Sequence, residues 1–154
     1  MIEAWHTSNR CNLLLLDALE EDHLSLVSRP RARSVGDQFA HLHNARLMWL
    51  EHSAPDLAEG MEKIASGAYG DIERLESILN ASAEAIAKLL ERSIETGNVK
   101  SYRGSPELFF AYLVAHEGHH RGQVLLTLKL AGVSVDKSVQ YGIWDWPKLM
   151  KQVG

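Results

Sequence analysis

The placement of its helix breakers constrains this chain more than any other feature. Proline and glycine gather at segment edges, and four long stretches between them carry helical periodicity. The first runs from about Glu3 to Val27, with Trp5, Asn12, Leu16, Leu19 and Leu26 along one face, and Pro30 ends it. The second opens at Ser34, a good N-cap with Asp37 three residues on as an acidic capping box. It reaches about His52, burying Val35, Phe39, Leu42 and Trp49 before Pro55. A looser, glycine-bearing connector follows, with one short helix expected over Leu57 to Ile64. The third helix starts near Asp71, spaces Ile72, Leu75, Leu79, Ser82, Ile86 and Leu89 by threes and fours, and stops at Gly97, a natural C′ residue. The fourth begins at Ser105-Pro106, an N-cap followed by proline at the first helical position, and runs to about Ala131, with Gly132 closing it. The stretch from Val133 to Gly154 is irregular and carries Trp144 and Trp146; only Val133 to Tyr141 has any β character. The pattern predicts an all-α four-helix bundle, one domain over residues 1–154, with an irregular C-terminal segment.

Composition narrows the partners. A net charge of −4, with only Arg29, Arg31 and Arg33 clustered among the basic residues, gives no phosphate-tracking groove for nucleic acid and no call for an acidic membrane surface. A lone Cys11 fits a reducing compartment. Without a basic leader or a long apolar run, the expected location is the cytoplasm.

The fourth helix is apolar on more than one side. At 100° per residue, Phe109, Tyr112, Leu113, His116, His120, Gln123, Thr127 and Leu130 share one face, expected to point into the bundle. Ala111, Ala115, Gly118 and Gly122 form a stripe of small residues. Phe110, Val114, Leu125 and Leu128 form a third, either a homodimer face or a surface covered by the C-terminal segment and its tryptophans.

Eight histidines are about twice an average share, and three of them fall within five positions. His116 and His120 stand four apart, so their rings lie one above the other and can reach a single ion at about 2.0–2.1 Å. A third ligand is wanted from a facing helix, and the second helix supplies His41 and His43, between which spacing alone does not choose. His119 lies at the margin of the inward face, so His120 is preferred to it. Gln123 and Thr127 continue the polar line as candidates for supporting or substrate contacts. The bland alternative is a set of core histidines that simply hydrogen-bond.

Three metal readings compete. His116-Glu117-Gly118-His119-His120 matches H-E-x-x-H, which in metallopeptidases gives two zinc ligands and a general base at Glu117; yet no later histidine follows, and no strand edge offers to hold a peptide. A di-iron carboxylate bundle would use Glu20-x-x-His23 and Glu117-x-x-His120, but it also needs an inward glutamate on the other helices, and helix two has only Glu51 near its end. The third is a mononuclear tri-histidine site with open positions, suited to zinc or nickel first, with iron, manganese or copper as further candidates.

The residues His-Glu-Gly-His-His-Arg-Gly-Gln at 116–123, and Ser34-Val35-Gly36-Asp37-Gln38-Phe39-Ala40-His41-Leu42 before them, resemble the DinB-like superfamily, the damage-inducible four-helix bundles unrelated to the DNA polymerase of that name. The resemblance spans Trp5 to Trp146. It implies an up-down-down-up bundle, often dimeric, with a divalent metal on His41, His116 and His120, which favours His41 over His43. It further implies chemistry on a low-molecular-weight thiol and an electrophilic small molecule, as in the family's thiol S-transferases and maleylpyruvate isomerases. Many members have no assigned activity, so a non-enzymatic, stress-related metal-binding or interaction protein is the alternative.

Overall fold

The computed structural model describes residues 1–151, so the last three positions of the C-terminal segment lie outside the described residues. Six α-helices follow one another: α1 Ile2–Leu16, α2 Val35–Ser53, α3 Ile72–Thr96, α4 Pro106–Leu130, α5 Lys137–Gly142 and α6 Trp146–Met150. No strand occurs among the described residues, only an isolated bridge between Val27 and Ser34. α1 and α2 each pack against both α3 and α4, and α5 and α6 lie on α1.

Three of the four long helices begin where their N-caps dictate. The Ser34 hydroxyl accepts from the Asp37 amide at 3.1 Å, Asp71 caps Arg74 at 2.8 Å, and Ser105 caps Leu108 ahead of Pro106. Gly97 closes α3 at φ 69°, a left-handed turn that only glycine adopts without strain.

The first helix is shorter than its periodicity predicts. It stops at Leu16, and a 3₁₀ turn over Glu21–Ser25 replaces its second half. Asp17, Glu20, Glu21 and Asp22 would crowd carboxylates onto a helix C-terminus, where the dipole disfavours them. Glu20 instead caps the 3₁₀ turn and receives the His23 ring in return: its backbone N–H donates to His23 Nδ1 at 3.0 Å. That pairing removes Glu20 and His23 from any metal site in the bundle.

The connector holds a 3₁₀ turn at Pro55–Leu57 and no helix over Leu57 to Ile64. Asn44 on α2 meets Ile64 with both ends of its amide, at 2.8 and 2.9 Å, and these bonds replace helical ones. Around Val133 to Tyr141 the β character gives way to α5, opened by Asp136 capping Ser138 at 2.7 Å.

Two apolar clusters fill the bundle. Leu13, Leu16, Phe39, Leu42, Leu75, Leu79, Val124 and Leu128 form one; Trp5, Leu50, Ile86, Leu90, Phe109 and Leu113 form the other. Between them runs a buried polar layer. Arg46, 1% exposed, donates to Glu117 Oε1 at 2.7 Å, to the Leu79 carbonyl at 2.7 Å, to Asn9 Oδ1 at 2.9 Å and to Ser82 Oγ at 3.2 Å. Its guanidinium also lies 5.0 Å over the Trp5 ring. Asn12 donates to Glu117 Oε2 at 2.8 Å and accepts from Arg121 at 2.8 Å. A buried charge needs this degree of pairing to be tolerated.

Candidate metal centre

The polar layer rotates α4 relative to the expected inward face. Its buried positions are Pro106, Phe109, Leu113, Glu117, His120, Arg121, Val124, Thr127 and Leu128. Tyr112 and Leu130 are exposed, while His116 and Gln123 are half-buried. A hydropathy argument turns Glu117 and Arg121 outward, whereas the structure pairs them inside, so the histidines sit on the rim of the bundle. Of the third stripe, Leu128 is in the core and Leu125 packs beside Ile143 and Trp146, so the chain's own C-terminal segment covers that end. Ala111, Ala115, Gly118 and Gly122 stay exposed.

At that rim, His41 from α2 meets His116 and His120 from α4, with one ring nitrogen of each within 4.8 Å of the others. The centroids of His41 and His120 are 4.5 Å apart, those of His116 and His120 4.6 Å, and those of His41 and His116 5.3 Å. Gln38, one turn before His41, accepts from His120 Nδ1 at 2.7 Å through its Oε1. An amide oxygen only accepts, so this bond places the His120 proton on Nδ1 and makes Nε2 an acceptor. It accepts from His116 Nε2–H at 3.1 Å, the nitrogen a metal ion would share once His116 gives up that proton.

The electrostatics keep these rings neutral. Burial, with the fields of His116, His41, His119 and Arg33 added, pushes His120 down to about 3. Burial, then Arg33 and His116, pushes His41 down to about 4. Burial also lowers His116, against the upward pull of the Glu117 carboxylate behind it. Three neutral imidazoles from two rigid helices, one with its tautomer fixed by an outer hydrogen bond, are a donor set that fits a divalent transition metal. No carboxylate belongs to the set.

On one side of the trio, Tyr112 stacks on His116 with centroids 6.0 Å apart and continues into the rings of Trp49, Tyr102 and Phe109. On the other, a cavity of about 190 Å³ is lined by Arg33, Asp37, Ala40, His41, Asn44, Ile64 and Ser66.

The other candidate residues lie elsewhere. His43 is buried against the connector, its Nε2 3.0 Å from the Glu62 carbonyl oxygen. Glu117 faces the core, away from the rim. His119 is exposed, its ring 5.1 Å from that of His120. Thr127 donates back to the Gln123 carbonyl at 2.8 Å and serves its own helix.

The family model described as the DinB family matches residues 1–142 of this sequence. The chain belongs to the DinB family. No curated protein and no solved structure gives a significant match. For this DinB-family chain, sequence reasoning missed Gln38, whose signal was a polar residue one turn before His41 on an otherwise apolar face. It also missed Arg46, which spacing does not distinguish from a solvated helix residue.

Proposed function

We propose that His41, His116 and His120 hold one divalent transition metal, zinc or nickel first, and that the protein joins a low-molecular-weight thiol to an electrophilic small molecule. The observation that carries this reading is a set of three ring nitrogens from two helices, one ligand fewer than the four of a closed structural site. A bound divalent ion would supply Lewis acidity, lowering the pKa of a thiol placed against it. The chain's residues do the rest. Gln38 holds His120 in one tautomer, and the edge-to-face aromatic cluster of Tyr112 and Trp49 beside His116 offers a largely apolar surface for the electrophile. As the sulfur forms its new bond to the electrophilic carbon, the bond from that carbon to its leaving group breaks, the group departs with the bonding electron pair, and the thiol proton passes to water.

A purely structural ion is the weaker reading, because the bundle's apolar clusters and polar layer are complete without it.

Elemental analysis after loading with zinc or nickel tests the site. About one ion per chain is expected for the wild type and for His43→Ala, with loss in His116→Ala. Thiol-dependent consumption of an electrophile that stops on chelation then tests the reaction. Full metal content in His116→Ala would sink the assignment.

A further inference from the structure

The rim site contains an imbalance of charge. Its three ligand candidates are neutral, and the nearest carboxylate behind them, Glu117, is already committed to Arg46 at 2.7 Å and to Asn12. A divalent ion placed there would have no carboxylate among its protein ligands. The cavity next to His41 brings Arg33 and Asp37 to one wall, and the field of Arg33 acts on all three histidines. Arg33 has no hydrogen-bond or ion-pair partner among the described residues. The polar groups around it are engaged. Asp37 accepts from Ser34 at 2.9 Å, from the Gly67 amide at 2.7 Å and from Ser66 at 3.4 Å, and the Asn44 amide is spent on Ile64. A guanidinium with free donors beside an open cationic site matches a planar anion in two-pronged fashion.

We propose that Arg33 is the anion-holding residue of this site, so that the small molecule taken there carries a carboxylate as well as the group that meets the metal. This rests on the thiol reading given above. A single negative charge suits the cavity better than two, because the Asp37 carboxylate shares its wall and repels a dianion more strongly.

The test is calorimetric binding of β-mercaptopropionate and of its neutral counterpart β-mercaptoethanol to the zinc-loaded protein, in wild type, Arg33→Ala and Arg33→Lys. Arg33 is exposed, and an unchanged melting temperature checks that the variants fold. The wild type is expected to prefer the acid. Arg33→Ala should bind it about tenfold more weakly, the scale of one charge-assisted hydrogen bond, with mercaptoethanol unaffected and Arg33→Lys in between. Equal binding of both thiols by the wild type, or an Arg33→Ala variant that keeps full affinity for the acid, overturns the role of Arg33 and leaves the thiol reading standing. Zinc-loaded protein that binds neither thiol overturns both.

Discussion

Glu117→Gln removes one negative charge from the centre of the bundle and almost nothing else. In the native chain that carboxylate, 1% exposed, faces Arg46 at 2.7 Å and Asn12 at 2.8 Å, with Arg121 at 4.0 Å. The glutamine keeps the shape but leaves two buried guanidiniums with no counter-charge, and its amide N–H group points at another donor. Breaking a buried pair by removing one partner costs about 3–5 kcal/mol, roughly a fifth or more of the stability of a typical domain. For a chain of this size that is a fall in melting temperature of roughly 6–20 °C. Urea and thermal unfolding of metal-free protein measure it directly. The double variant Glu117→Gln/Arg46→Met should recover part of the loss, because it also removes one of the stranded charges. Metal content at low temperature should be unchanged. A loss below about 1 kcal/mol would refute the account of the polar layer. If activity vanished while stability held, the glutamate would return as the general base of an H-E-x-x-H enzyme.

Two further outcomes follow from the same geometry. Gln38→Ala frees His120 to change tautomer and should weaken metal affinity about 10- to 100-fold with little change in melting temperature; a competitive chelator titration reads it, and unchanged affinity would remove Gln38 from the site. Metal-free protein should lose stability as the pH falls from about 6.5, the unfolded histidine value, toward the folded values of about 4 for His41 and about 3 for His120. Over that range the unfolded chain binds protons that the folded one refuses, so stability rises with pH and is complete above it. A His120→Asn variant should show a shallower fall in its urea midpoint, and parallel curves would contradict the burial of that ring.

Most of the fold was legible because caps and breakers are local. Ser34, Asp71, Gly97 and Ser105-Pro106 each fix a helix end through a bond to a residue a few positions away. The first helix misled for the same reason in reverse: its apolar spacing continues past Leu16, while Glu20 and His23 form a competing local pair. The histidine pair on α4 and its meeting with His41 follow from helical spacing and the family pattern. The burial of Glu117 and Arg121 does not. Their partners, Arg46 and Asn12, lie 71 and 109 residues away along the chain, and no periodicity announces a contact at that distance. Missing that layer turned the inward face of α4 and placed the site deeper than it lies.

The rim position of the histidines has a kinetic consequence. The bundle closes its core on its own residues, so an ion at His41, His116 and His120 would come and go without the chain unfolding. Binding free energy there is separable from folding free energy, unlike in small metal-organised domains. Occupancy would then follow the free metal of the surroundings on the timescale of ligand exchange, and a chelator would strip the protein while leaving a folded scaffold ready to be refilled.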